Sequence, residues 1–312
     1  MFQPRFSRRL LGALAATGLV AALAACATED PAATPSPSSA AAAYPVTVGS
    51  VTLPAQPVKI VSLSPTATEM LFAIGAGGQV TAVDDQSTFP ADAPKTDLSG
   101  FQPNAEAIAA KNPDLVVLSG DANNVVAQLT TLKIPVFLAP AAVTLDDSYA
   151  QINDLGKLTG HADQAAALAK QMKDDIAKLV KDLPQRGKPL TYYYELDPTL
   201  YSVTSKTFIG SLFTLAGLTN IADASDTKNT GYPQLTAESL IKANPDLIFL
   251  ADTKCCAQNA DSVKARAGWQ SITAVTKNQV VALDDDIASR WGPRVVDLIR
   301  AITQATSTIP AA

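Results

Sequence analysis

Between Ala162 and Leu183 the apolar residues Leu168, Met172, Ile176, Leu179 and Leu183 recur at steps of four, four, three and four. That spacing lays one apolar stripe along a helix, with Lys170, Lys173, Asp174, Lys178 and Lys181 turned to solvent. No Gly or Pro interrupts the stretch, and Pro184 with Gly187 ends it. At the standard rise its 22 residues span roughly 33 Å, about the width of a small domain.

On either side the pattern changes to short continuous apolar runs, the mark of strands buried on both faces. Ile60–Leu63, Val80–Val83, Leu115–Leu118 and Val136–Leu138 precede the long helix. Leu190–Leu196, Leu247–Ala251 and Val280–Leu283 follow it. Val46–Leu53 alternates like a strand or hairpin arm. Helices are expected over Thr68–Ile74, Ser211–Leu215 and Pro293–Thr303, the last with Pro in its first turn. Gly75-Ala76-Gly77-Gly78 follows a helix and not a strand, so it reads as a C-terminal turn and not a nucleotide loop.

The two sides repeat each other. Residues 105–118, AEAIAAKNPDLVVL, match residues 237–250, AESLIKANPDLIFL, at seven of fourteen positions. A fainter match aligns Ser64, Thr66, Leu71 and Phe72 with Ser205, Thr207, Leu212 and Phe213. Two copies so far apart are not a solenoid. They predict an α/β fold: two Rossmann-like lobes with mainly parallel sheets, joined by one long bridging α-helix. The expected boundaries are an N-terminal lobe over 44–160, the bridge over 161–184 and a C-terminal lobe over 185–312. A single stiff helix predicts a cleft of nearly fixed shape.

Composition changes the picture only at the start. Arg5, Arg8 and Arg9 precede the apolar run Leu10–Ala22, which ends in Leu23-Ala24-Ala25-Cys26. This is a lipoprotein signal pattern over 1–25, with Cys26 the lipidated residue, and it is too short for a membrane span. Ser7-Arg8-Arg9 leaves twin-arginine and general export both open. Ala27–Ala43, made of Ala, Pro, Ser and Thr with two acids, has nothing to bury and reads as a tether over 26–43. The expected place is therefore the outer face of the cell membrane. Losing 1–25, which holds three arginines and no acid, takes the formal charge from −5 to −8. An acidic exported body argues against nucleic acid as a partner.

The chain has one histidine, His161, expected exposed at the start of the bridge. That leaves no imidazole for a nucleophilic triad in the cleft and no His-rich metal site. Cys255 and Cys256 are adjacent, and neighbouring Cα atoms lie about 3.8 Å apart. A vicinal disulfide shaping a cleft loop and two unpaired thiols both remain open. Tyr192, Tyr193 and Tyr194 alternate on a strand, so at least one is expected in the core. Asp284-Asp285-Asp286 reads as a solvated turn. In open parallel sheets ligands gather beyond the carboxyl ends of the strands. That rule nominates the loops at Ser64–Thr66, Asp84–Phe89, Ser119–Asn124, Leu196–Tyr201, Asp252–Cys256 and Asp284–Trp291, with Ser64, Asp85, Lys254 and Cys255 among the candidate ligand contacts.

With repeat, lipobox and bridge in place, the chain resembles the helical-backbone substrate-binding proteins of ABC importers, which capture vitamin B12, ferric siderophores and haem. The resemblance covers about 46–305. Its carriers are KIVSLSPTATEMLFAIG at 59–75, the two repeat segments, TSKTFIGSLFTLAGLTNIAD at 204–223, YPQLTAESLIKANPDLIFL at 232–250 and GPRVVDLI at 292–299. It implies a monomer that binds and does not catalyse, with no cofactor or metal site of its own. It also implies docking to an ABC permease dimer in the membrane through Glu106 and Glu238, the same site in the two repeats. For the ligand it implies aromatic clamps at Phe101 and Tyr232 and an anion-matching Arg290. A third clamp position falls on Ile287, a departure for which Trp291 is the nearby substitute. Corrinoid and ferric siderophore are both expected ligand classes. Haem held by Tyr232, a chelatase-like enzyme on the same architecture, and a scaffold lipoprotein with a degenerate cleft are the alternatives.

Overall fold

The computed structural model describes residues 43–311. The signal segment, Cys26 and nearly all of the tether lie outside the described residues. In chain order the N-terminal lobe comprises β1 (Val46–Val48), β2 (Val51–Leu53), β3 (Ile60–Leu63), α1 (Pro65–Ala73), β4 (Val80–Val83), α2 (Ala105–Ala109), β5 (Leu115–Leu118), α3 (Val125–Thr131), β6 (Val136–Leu138) and α4 (Leu145–Thr159). The long helix α5 (Ala162–Lys181) leads to β7 (Thr191–Glu195), α6 (Phe208–Leu215), β8 (Thr219–Asn220), α7 (Ala237–Ala243) and β9 (Leu247–Leu250). The chain closes with α8 (Ala260–Lys264), α9 (Thr273–Thr276), β10 (Val280–Ala282), α10 (Asp285–Ser289) and α11 (Val295–Ser307).

Each lobe is built on a four-stranded, wholly parallel sheet, and β1 and β2 form a separate antiparallel hairpin. The strand orders are β4-β3-β5-β6 and β10-β9-β7-β8. Numbered within each lobe, both read second, first, third, fourth, so the sequence repeat is also a repeat of topology. In both sheets the first and third strands are neighbours whose onward connections run to opposite sides. That is the switch point where a parallel sheet opens a crevice at its carboxyl edge.

Local chemistry explains the helix ends. Ser64 caps α1, accepting the Ala67 N–H, and Pro65 supplies the preset φ of a first turn. Asn104 and Thr236 cap α2 and α7, the matching helices of the two repeats. Thr144 and Asp147 form a reciprocal capping box on α4, and Gly160 ends that helix at φ +77°.

Helix α4 has no counterpart in the sequence reading and changes the picture of the bridge. It lies antiparallel against α5, and α11 packs on α5 from the other lobe. One apolar core runs from Ile60, Met70 and Ile152 of the first lobe through Met172 and Ile176 of α5 to Tyr192, Phe213 and Ile302 of the second. The bridge is therefore the middle of a helical slab and not a free-standing rod. Its buried face is also rotated from the expected stripe. Ala165, Ala169, Met172 and Ile176 are buried, while Leu168, Leu179 and Leu183 are only partly covered. Small residues let the two helices approach, and any side chain at Gly156 of α4 would collide with Ala165.

One further expectation is exceeded and one is corrected. All three tyrosines of β7 are fully buried, because helices cover both faces of a parallel sheet. Tyr192 stacks on Phe213 at 4.2 Å, and the Tyr194 hydroxyl donates to the Ala288 carbonyl at 2.8 Å. His161 is half-buried, not exposed, with Nδ1 2.9 Å from the Thr159 carbonyl oxygen. Gly156→Leu is expected to lower the unfolding free energy by about 2 kcal/mol through overpacking between α4 and α5. A urea denaturation midpoint equal to that of the wild type would contradict this packing.

Candidate functional site

The two carboxyl edges meet at a cleft whose floor is crossed by one segment of the C-terminal lobe, residues 290–294. Gly292 lets that segment pass close to α1, where a Cβ would stand 3.4 Å from the Thr66 methyl. On α1 waits Glu69, 2% exposed and the only charge in PTATEMLFA. Arg290 Nη1 donates to Glu69 Oε1 at 2.7 Å, while Arg294 donates through Nε at 2.9 Å and Nη2 at 2.5 Å. Arg290 also donates to Asp286 Oδ1 at 2.7 Å and to the Gln86 carbonyl at 3.1 Å. Arg294 lies over the Phe89 ring, 4.2 Å from its centroid. Two guanidinium groups thus face two carboxylates, and the cluster is neutral. Trp291 adds a second link, its indole N–H donating to Gln151 Oε1 of α4 at 2.8 Å while its carbonyl accepts from the Ser148 hydroxyl.

A cavity of about 370 Å³ opens beside this segment, walled by Ala142 and Val143 from the first lobe and by Phe208, Ile209 and Tyr232 from the second. Trp291 lines it as well. Of the expected aromatics, Phe101 is 79% exposed and Tyr232 51%, one on each lobe. The Phe101 segment is held at the carboxyl edge, since Gly100 packs against the Asp84 carboxylate and the Leu63 carbonyl.

The other expected contacts divide. Asp85 is exposed on its loop, its N–H donating to the Leu98 carbonyl. Ser64 is buried, and its hydroxyl oxygen caps α1. Lys254 is exposed, but its ammonium lies 2.7 Å from Asp284 and 3.1 Å from Asp286. Arg290 is 10% exposed and held by the interlobe cluster, not presented to a ligand. Trp291 binds the lobes together as well as lining the cavity, and Ile287 is partly buried in the main core.

The aspartate run is a built structure and not a solvated turn. Asp284 caps α10, and Asp285 accepts from the backbone N–H groups of Thr253, Lys254 and Cys255 at 2.9 to 3.0 Å. Burial raises the Asp285 pKa, but those N–H donors outweigh it and hold the group below its ordinary value. The loop so anchored carries Cys255 and Cys256, which are paired as a vicinal disulfide. Glu106 and Glu238 occupy the same place in their repeats, exposed in the first turns of α2 and α7. A carboxylate there is favoured by the helix dipole.

Sequence reasoning missed Glu69, Arg294 and Gln151. Only Glu69 left a signal, since a lone charge in an otherwise uncharged helix demands a partner. Glu69→Gln leaves two buried guanidinium groups short of an acid. It is expected to cost about 3 kcal/mol of stability and to broaden the lobe–lobe angle, read by chemical denaturation and small-angle scattering. Unchanged values in both would remove the cluster from its bracing role.

A sequence model of the family described as periplasmic binding protein matches residues 60–287. The chain is 30% identical over 281 residues to an ABC transporter substrate-binding lipoprotein of Bacillus subtilis, covering 84% of this chain and 85% of that one. It is 29% identical over 319 residues to a cobalamin-binding protein of Halobacterium salinarum, covering 98% and 85% respectively. Among solved structures, the periplasmic vitamin B12 binding protein of Vibrio cholerae superposes with a TM-score of 0.68 at 25% identity, over 81% of this chain and 97% of that one.

Proposed function

Because this chain belongs to the periplasmic binding protein family, we propose that it is the extracytoplasmic receptor of an ABC importer and that the solute it delivers is a corrinoid. The observation that carries the choice of ligand is the pairing of exposed aromatic faces with a cleft floor whose cations are already neutralised. Phe101 and Tyr232 offer two large flat surfaces, one from each lobe. Arg290, Arg294 and Lys254 at the cleft floor are matched by Glu69, Asp284 and Asp286, which leaves Lys206 of the cavity wall, bonded to Asn229 Oδ1, as a single cation with no acid at salt-bridge distance among the described residues. Such a cleft suits a bulky, mostly uncharged ring system held by stacking. A ferric catecholate, with several negative charges, would need free arginines or lysines in a cluster. The cobalamin-binding and vitamin B12 binding relatives support the same ligand class.

Binding without turnover fits the arrangement. His161 sits at the start of α5, away from the cleft loops, and no helix among the described residues is long and apolar enough to cross a membrane. Anchoring through a lipid on Cys26 would keep the receptor near its permease, and a monomer would present one ligand at a time.

Cyanocobalamin titrated into the full-length mature protein is expected to bind with one-to-one stoichiometry, measured by calorimetry. Phe101→Ala and Tyr232→Ala are each expected to weaken it about tenfold, the effect of roughly 1.4 kcal/mol of lost stacking. No cyanocobalamin binding, with saturable binding of haem or a ferric catecholate, would overturn the ligand reading. Permease docking is assigned to Glu106 and Glu238. Reversing both to Arg is expected to leave the cyanocobalamin affinity within twofold or so and to abolish uptake in whole cells. A double variant that still supports uptake would remove these glutamates from the docking surface.

A further inference from the structure

Away from the interlobe cluster, the C-terminal lobe buries two carboxylates against a single cation. Glu195 is the last residue of β7, and Asp252 lies two residues past the end of β9, the neighbouring strand at the switch point. The Ala251 N–H donates to the Glu195 carbonyl at 2.9 Å, which draws the two side chains to one place. Both residues are 0% exposed. Arg266 grips Glu195 with both prongs, at 2.6 and 2.5 Å, and extends to Gln258 Oε1 at 2.7 Å. It also lies 4.5 Å from the centroid of the buried Trp269 ring. Among the described residues neither oxygen of Asp252 has a hydrogen-bond donor, and the nearby Tyr193 hydroxyl is also without a partner.

Arg266 balances Glu195, so an ionised Asp252 would be an uncompensated charge in the interior, beside a second carboxylate. Taking up a proton removes that charge and turns one Asp252 oxygen into a donor that the carboxylate of Glu195 can accept. We propose that Glu195 and Asp252 form a proton-binding site that holds one shared proton in mildly acidic solution, releases it in mildly alkaline solution, and controls the order of the loop over residues 252–258. The loop hangs directly on the pair. The Asp252 carbonyl accepts from the N–H groups of Cys256 and Gln258, both at 3.3 Å, and Gln258 Nε2 donates to the Cys256 carbonyl at 3.1 Å. The same Gln258 accepts from Arg266 Nη2, the nitrogen that also donates to Glu195, so disulfide, loop and acid pair form one hydrogen-bonded chain.

Arg266, just past α8, is the cation that bears on the pair, and the buried Tyr193 of β7 feels Glu195, Arg266, Asp252 and Asp197 in turn. Burial first, and the Glu195 charge second, push Asp252 up to about 7. An unfolded Asp titrates near 3.9, so between about pH 4 and about pH 7 the folded state binds more protons than the unfolded one. Stability contributed by the proton is therefore full at low pH and lost as pH rises through that window. This conclusion does not depend on which ligand the cleft accepts.

Trp269 reports on the site, and in Trp291→Phe it is the only tryptophan left of two. Its emission in that protein is expected to titrate with a midpoint near pH 7, and the transition is expected to vanish in Trp291→Phe with Asp252→Asn, whose amide donates to Glu195 at every pH. Emission that is flat from about pH 5 to about pH 9, or a transition that survives Asp252→Asn, would overturn the proposal. Should the double variant not fold, infrared spectroscopy of the unaltered protein decides. A buried protonated-carboxyl band is expected at about pH 6 and should be lost by about pH 9, and its absence at the lower pH would refute the site.

Discussion

The geometry of the cleft depends on one buried carboxylate. Glu69 projects from the first lobe between Arg290 and Arg294 of the second, and Trp291, between those two arginines in sequence, adds its links to α4. A long helix fixes how far apart two lobes sit, but it resists twist and tilt only through whatever packs on it. An apolar patch would hold the lobes together and still let them slide, because dispersion is insensitive to small lateral shifts. A fork of N–H donors on a carboxylate is directional and loses most of its strength when misaligned. Such a cluster adds little net stability over an apolar core. Its contribution is to select one relative orientation, and Asp286 makes that possible by supplying the second negative charge.

The duplicated topology then places two like edges opposite each other and gives them unlike chemistry. The carboxyl edge of the first sheet is small and hydroxyl-rich, with Thr68 bonded to Ser62 at 2.9 Å and to Ser87 at 3.0 Å, and Asp84 buried nearby. At the edge of the second sheet stand Glu195 and Asp252, both fully buried. Burial raises the pKa of Asp84 as well, though Ser87 hydrogen bonds oppose the rise. Both lobes thus carry an acid at the sheet edge that is costly to ionise. Only the second has two acids side by side.

Much of this was legible in the chain because buried parallel strands and repeated helices impose strong local patterns. The strands Ile60–Leu63, Val80–Val83, Leu115–Leu118 and Val136–Leu138 fall where the continuous apolar runs place them. Helix α4 escaped because its stripe of Tyr149, Ile152, Leu155 and Leu158 is interrupted by Gly156, and a glycine inside a helical pattern weakens the signal. That glycine is there for close packing on α5, a reason that exists only in three dimensions. How many of the β7 tyrosines are buried stayed open for a related cause, since alternation shows which residues share a face and not whether both faces are covered. Arg290 was read as a ligand contact because its partner, Glu69, lies 221 residues away and no local pattern joins them.

Rigidity of the cleft also bears on how such a receptor can be handed to a permease. Glu106 and Glu238 sit on α2 and α7, one per lobe, at equivalent points of the repeat. Docking of the proposed kind engages both at once, and the second contact gains from the first only when the spacing between them already matches the partner. A swinging pair of lobes would lose that gain to the entropy of aligning them. The interlobe cluster therefore serves two purposes. It fixes the gap in which a solute is held, and by the same restraint it fixes the distance between the two glutamates.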